Sequence, residues 1–298
     1  MQRRQREPWG RRLSEAPGAV LARDAHRLAD ALGLSLREAR YEAEVLLIRT
    51  TGLDRARLIA HPELVEQAAV TSVYQHALER RMRGEPVAYI LGTREFYGLD
   101  FEVTPAVLIP RPETELLVEL ALERIVAQAH WDVLDVGTGS GCIAIALAIH
   151  RPSAHVVATD VSPDALEVAQ RNAARHAAAN LELLAGSVFA PVARRSFDLI
   201  VSNPPYIAGE DPHLHRGDLR FEPQHALTPG GDGTALLQQL VAGAPARLHP
   251  GGWLLLEHGY DQAQAVMIAL RAAGFVEVFT VRDIAGHERV SGGRLGAR

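Results

Sequence analysis

The chain of 298 residues has no lysine, one cysteine, and only 5% aromatic residues. Cys142 is alone, so an internal disulfide is excluded, and no Cys/His cluster has the spacing of a zinc site. No metal is expected. No apolar run reaches the roughly 18 residues that a membrane span needs, and no charged start followed by an apolar stretch suggests a secretory signal. A cytoplasmic protein with no membrane partner is expected. The missing lysine makes all 31 basic residues arginine and carries no functional weight.

A net charge of −5 argues against a free-standing nucleic-acid binder, whose affinity comes from many Lys and Arg contacts to phosphate. The charge is uneven. Residues 1–12 hold five arginines against Glu7, a net of +4, which leaves −9 on the rest of the chain.

An apolar content of 47% supports a sizeable core. Residues 1–18, rich in Arg, Pro and Gly, lack periodicity and read as a mobile tail. Over 19–83 the pattern is helical: Leu21, Leu28 and Leu32 recur at turn spacing, Ser35 to Glu38 is a capping box, and a further helix is expected over about 63–82. Arg83-Gly84-Glu85-Pro86 breaks this small bundle. The stretch Val87–Val103, rich in aromatic and β-branched residues, reads as a hairpin with a turn at Gly92-Thr93, so 84–110 becomes a hairpin linker. After Pro110-Arg111-Pro112 a helix of about 16 residues should begin near Glu113.

From Val133 onward short apolar runs alternate with helical segments: 133–136, 156–159, 181–185, 199–202, 253–257 and 276–281. That alternation predicts an α/β domain over 111–298 built on a mainly parallel sheet. In such sheets ligands sit beyond the carboxyl ends of the strands.

Two motifs fall at such ends. The first is Val133-Leu134-Asp135-Val136 followed by Gly137-Thr138-Gly139-Ser140-Gly141, a strand entering a glycine-rich turn. The dinucleotide fingerprint would need glycine at 142, where Cys142 stands. The spelling instead resembles the first motif of class I S-adenosylmethionine-dependent methyltransferases. Asp160, closing the next strand, can accept both hydroxyls of a ribose; the plain structural reading makes it the cap of the following helix.

The second is Asn203-Pro204-Pro205-Tyr206 after the strand ending at Ser202. Two prolines fix φ and remove two N–H donors. An NH₂ group conjugated to a carbonyl or aromatic ring is a weak nucleophile. If the Asn203 side-chain oxygen and the Pro204 carbonyl each accept one N–H, the nitrogen is held and can pyramidalise toward an electrophilic methyl, while Tyr206 stacks on the planar group. No strong general base is then needed. The acceptor is a planar NH₂: glutamine, asparagine, adenine or cytosine.

Asn203 to Tyr206, taken with Ile109-Pro110-Arg111-Pro112-Glu113-Thr114-Glu115 and Glu85-Pro86-Val87-Ala88-Tyr89-Ile90-Leu91-Gly92, resembles the HemK/PrmC family, the peptide chain release factor glutamine methyltransferases. Phe221-Glu222-Pro223, Gly231-Asp232-Gly233 and Glu257-His258-Gly259 extend the similarity to roughly residues 20–293. The resemblance implies a Rossmann-like methyltransferase domain with a seven-stranded sheet, a helical substrate-docking domain at 19–83 and a bridging hairpin. It implies methyl transfer from S-adenosylmethionine to the glutamine of the Gly-Gly-Gln loop in class I release factors. Apart from the resemblance, a monomer is expected. The Gly137–Gly141 turn, Asp160, Val188 and Asn203 match the family's cofactor contacts, and Asn203, Pro204, Pro205 and Tyr206 its glutamine site. Arg111, Glu113 and Glu115 are candidates for substrate contact, with helix capping and ion pairing as the plainer alternative. Many relatives carry an acid where Ser187 stands and an aromatic residue where Val188 stands.

Two other readings compete. An adenine-N6 methyltransferase would use a similar motif, against which stand the acidic balance outside the tail and the lack of a basic, aromatic-rich target-reading segment. A binding module without chemistry would have little use for Asn203 beside the glycine turn. Glu222 and Asp232 fall in a long Gly/Pro/His segment that could close over the site as a lid. Cys142 is expected to pack behind the turn, and Arg289 to make surface contacts.

Overall fold

The computed structural model describes residues 19–61, 64, 67 and 71–296. The tail reading at 1–18 and the beginning of the helix expected from about 63 lie largely outside them. The chain divides at Leu91/Gly92 into two compact units.

The first unit contains α1 (Ala19–Leu32), α2 (Leu36–Thr51), α3 (Arg55–Ala60), α4 (Ser72–Met82) and α5 (Val87–Leu91). The capping box holds: the Ser35 hydroxyl accepts the Glu38 N–H, and Glu38 accepts the Ser35 N–H. Leu28, Leu46, Leu47, Tyr74 and Leu78 form the fully buried centre of the unit. Within it, the Tyr74 hydroxyl donates to Asp24 at 3.2 Å, and Arg81 grips Glu42 through two bonds of 2.7 and 2.9 Å. Residues 87–91 differ from the expected strand. Pro86 pre-sets the first turn, Ile90 N–H donates to the Pro86 carbonyl, and Val87, Ile90 and Leu91 pack on the helical core, which overrides their β propensity.

The second unit opens with the hairpin β1 (Thr93–Phe96) and β2 (Leu99–Glu102). Its turn is Tyr97-Gly98, both residues at positive φ, and not Gly92-Thr93. Both centres of a two-residue hairpin loop need that conformation, and glycine marks the second. The helix expected near Glu113 is a 3₁₀ turn, Pro112–Thr114, running into α6 (Glu115–Arg124), shorter than expected.

A seven-stranded sheet follows in the order β5-β4-β3-β6-β7-β9-β8, comprising β3 (Asp132–Val136), β4 (His155–Asp160), β5 (Leu181–Ala185), β6 (Phe197–Ser202), β7 (Leu248–Glu257), β8 (Phe275–Arg282) and β9 (Glu288–Leu295). The first five are parallel; β9 runs antiparallel to both β7 and β8. Apolar residues cover both faces, with α7 (Cys142–His150) among the most buried elements. β9 has no counterpart among the strands expected from the sequence. Its Gly292-Gly293 pair suppresses the strand signal, yet a side chain at Gly292 would lie 2.5 Å from Leu255 and 2.7 Å from the Leu254 carbonyl, so close strand packing demands glycine there.

Because the chain places β4 and β5 on one side of β3 and β6 on the other, the β3/β6 boundary is the point where strand order reverses. Ligands of doubly wound sheets bind there. Both motifs emerge at that boundary.

Candidate active site

Three bonds set the glycine turn against its neighbours. Gly137 and Thr138 donate their N–H groups to the Thr159 carbonyl at 2.8 and 3.0 Å, joining the turn to the end of β4. Ser202 donates its hydroxyl to the Val136 carbonyl at 2.6 Å, joining the end of β6 to β3. Asn203 is therefore delivered next to Gly137 by the pairing of two strands.

Asp160 accepts the Gly139 N–H through Oδ2 at 2.8 Å and the Ser162 N–H through Oδ1 at 2.9 Å. The cap of the following helix, α8 (Pro163–Arg175), is Ser162 and not Asp160. Thr138 sits behind the turn, its hydroxyl donating to Asp135 at 2.7 Å. Asp135 is fully buried, and burial pushes its carboxyl up to about 7. Ser140 is also buried, its carbonyl accepting from Asn172 Nδ2 at 2.9 Å. The same Asn172 amide bonds both backbone groups of Glu102, so this one residue ties the turn to the hairpin. Nothing in its sequence surroundings marks it. Cys142 is buried directly after the turn, as expected, and burial pushes its thiol up to about 12.

In front of the turn lies a cleft of about 800 Å³ lined by Gly137, Gly139, Asp160, Val188, Asn203 and Pro204, among others. A side-chain carbon on Gly137 or Gly139 would meet no protein atom within 4 Å, so the backbone there is bare toward the cleft. One carboxylate and the apolar flanks Val161, Val188 and Leu236 complete a lining that fits a nucleoside-bearing cofactor. Thr138, Ser140 and Gly141 are not on its wall; they shape the turn from behind. Val188 has a φ of +48°, a strained value for a β-branched residue, held where its carbonyl accepts the Thr159 hydroxyl at 3.4 Å.

A second cleft of about 670 Å³ is lined by Arg111, Glu113, Asn203, Pro204, Pro205, Tyr206, Glu257 and Arg289. Asn203, Pro204 and Pro205 belong to both clefts and form a shared wall. Asn203 Nδ2 donates to the Thr114 hydroxyl oxygen at 3.0 Å, which turns its Oδ1 the other way. The Tyr206 hydroxyl donates to Glu257 Oε1 at 3.2 Å, and the Tyr206 carbonyl accepts from Gln262 Nε2 at 3.0 Å. Burial first, then the adjacent Glu257 charge, pushes the Tyr206 phenol up, so it stays a donor. Glu257, also fully buried, is pushed up to about 7 by burial against the opposing pull of the Thr114 hydroxyl and Arg289.

Three sequence expectations change here. Glu222, read from the sequence as part of a segment that could close over the site, is buried, accepts the Ile109 N–H at 3.0 Å and pairs with Arg111, clamping 109–111 to the segment after Tyr206. Glu115 is not on the wall of the cleft that holds Tyr206; it accepts the Tyr97 N–H at 2.9 Å and anchors the hairpin turn. Arg289 is not a surface residue: it lines the second cleft, donates to Asp283 at 3.1 Å and bonds the His258 carbonyl. It was hidden because β9 was. Asp232 caps locally, accepting from Thr234, while the adjacent Gly233 lies against the Tyr206 carbonyl.

The fold and geometry can be set beside known proteins. A model of the methyltransferase small domain matches residues 113–233, and one of the PrmC N-terminal domain matches 20–92. A release factor glutamine methyltransferase of Xylella fastidiosa is 51% identical over 255 residues, 86% of this chain and 93% of that protein. One from Bordetella pertussis is 51% identical over 257 residues, covering 86% and 95%. A solved methyltransferase of Pyrococcus furiosus superimposes with a TM-score of 0.52 at 22% identity over 74% of this chain and 99% of that one, a likeness of fold alone.

Proposed function

We infer from its family, the release factor glutamine methyltransferases, to which this chain belongs, that it methylates the side-chain amide nitrogen of the glutamine in the Gly-Gly-Gln loop of class I release factors. The methyl group comes from S-adenosylmethionine, which supplies an electrophilic sulfonium-bound carbon.

The observation that carries the mechanism is the shared wall. Asn203, Pro204 and Pro205 face both clefts, so a donor against the glycine turn and an acceptor against Tyr206 would meet across them. Gly137, Gly139, Asp160 and Val188 would hold the cofactor; Thr138, Ser140 and Gly141 hold the turn's shape. With Nδ2 committed to Thr114, Asn203 offers Oδ1 to one N–H of the acceptor amide, and the Pro204 carbonyl offers the second bond. A nitrogen so held is oriented for attack, and the proton lost after transfer needs no strong base. The Tyr206 ring, fixed at its hydroxyl and its carbonyl, forms the far side of the acceptor cleft. Arg111 and Glu113 line that cleft's rim and are the substrate contacts we assign.

Transfer of a labelled methyl group to a purified release factor, and to a version with Gln→Ala in its Gly-Gly-Gln loop, tests this. Label on the first protein alone is expected. Label on both refutes the glutamine assignment, and label appearing only on duplex DNA or ribosomal RNA refutes the substrate class.

A further inference from the structure

Asn203 and Pro204 offer oxygens to the N–H groups of the acceptor, but the acceptor also brings oxygens, and those need donors. Each residue of a Gly-Gly-Gln segment carries a main-chain carbonyl, and a carbonyl taken out of water without a donor weakens binding. Two guanidinium groups line the acceptor cleft, Arg111 and Arg289. Arg111 pairs with the buried Glu222, and its side chain is 32% exposed. Arg289 is the more enclosed of the two, at 13%.

The fold grips Arg289 from outside the cleft. It is the second residue of β9, next to Val290, which pairs with Glu257 at the end of β7. Its carbonyl accepts the His258 N–H at 3.0 Å, and its Nη1 donates to the His258 carbonyl at 3.2 Å. Its Nε donates to Asp283 Oδ2 at 3.1 Å, and Asp283 is locked in turn by the His287 N–H, which donates to Oδ1 at 3.0 Å. Neither His258 nor Asp283 lines the cleft that Arg289 lines. A guanidinium is planar and rigid, so holding two nitrogens fixes the third. That third nitrogen, Nη2, makes no hydrogen bond among the described residues and keeps both of its N–H groups to give.

We propose that Arg289 is a substrate-binding residue whose Nη2 donates to a main-chain carbonyl of the Gly-Gly-Gln loop. The proposal rests on the transferase reading above. Two considerations select a neutral main-chain oxygen. Glu113 and Glu257 share the cleft wall, so a carboxylate entering beside Arg289 would meet them as well. The side-chain oxygen of the glutamine is selected against by its chemistry: a cation bonded there draws the nitrogen lone pair into the amide and away from the methyl group, which slows transfer. A bond to the main chain is made equally before and during transfer, so it contributes to binding and leaves the chemical step alone.

The test compares Arg289→Met, which keeps the apolar stem and loses the donors, with the double variant Arg289→Met/Asp283→Asn, which also removes the buried charge that Arg289 balances. Label on a purified release factor and not on its Gln→Ala version first establishes the reaction for the wild type. Both variants should then raise KM for the release factor by about 10- to 100-fold, the worth of a hydrogen bond from a charged donor. Both kcat and the cofactor Kd should stay within about threefold, the pattern of lost uniform binding. The ratio of variant to wild-type KM should hold between about 0.05 and 0.5 M salt, because a neutral carbonyl leaves little for salt to screen. If Arg289→Met folds poorly, the double variant, with no unpaired buried charge, carries the same comparison. A wild-type KM in either variant, a rise in kcat, which would put Arg289 on the side-chain oxygen, or a KM ratio that closes with salt, as for a carboxylate partner, overturns the assignment. A wild type that labels neither protein instead overturns the transferase reading.

Discussion

The hydroxyl of Ser202 donates to the carbonyl of Val136 across 2.6 Å of buried space, and with that bond the last residue of β6 fixes where the glycine turn after β3 begins. The glycine turn and the Asn203–Pro205 wall are thus mounted on one pair of adjacent parallel strands, with Val133, Leu134 and Asp135 in register with Leu199, Ile200 and Val201. Rigid strand ends hold reacting groups better than loops do.

Ser202→Ala leaves a buried carbonyl without that donor. Unfolding in urea should show a loss of about 1–3 kcal/mol with an unchanged m value. A wild-type midpoint would mean that the bond contributes nothing.

Asp160→Asn should weaken cofactor binding by tenfold or more by calorimetry, because both carboxylate oxygens accept backbone N–H groups and an amide NH₂ would face one of them. Unchanged affinity would remove Asp160 from the cofactor site.

Gly233→Ala places a carbon 2.3 Å from the Tyr206 carbonyl, at a φ of +84° that suits glycine. The segment after Tyr206 would have to shift, and with it the acceptor cleft. A fall in kcat/KM for the protein substrate with little change in cofactor Kd is expected; a neutral variant would show that Gly233 does not support the loop.

Asp135 gives a pH signature. The buried acid keeps its proton up to about 7, whereas in the unfolded chain it ionises near 4. Its contribution to stability is complete below about pH 4 and is lost as the pH rises through about 7. Asp135→Asn, which cannot ionise, should lose less stability than the wild type across that window in the cofactor-free protein. Parallel curves for the two would contradict the shift.

Much of this was legible in the residues. Runs such as Val133–Val136 and Leu199–Ser202 announce buried parallel strands, and Asn-Pro-Pro-Tyr at a strand exit marks the wall that both clefts share. What stayed hidden depends on non-local pairing. Val87–Leu91 is a helix because the bundle offers it an apolar surface, which its β-branched spelling does not reveal. β9 is masked by the glycines that let it pack, and Arg289 with it. Glu257 reaches Tyr206 because β7 pairs with β6, a juxtaposition of residues far apart in the chain.

The central claim is that Asn203 holds the acceptor amide at the wall between the two clefts. Single-turnover methyl transfer to a release factor by Asn203→Ala, with cofactor affinity measured on the same protein, tests it most directly. The rate should fall by roughly 10²–10³ while cofactor binding largely survives. A wild-type rate in that variant would contradict the account.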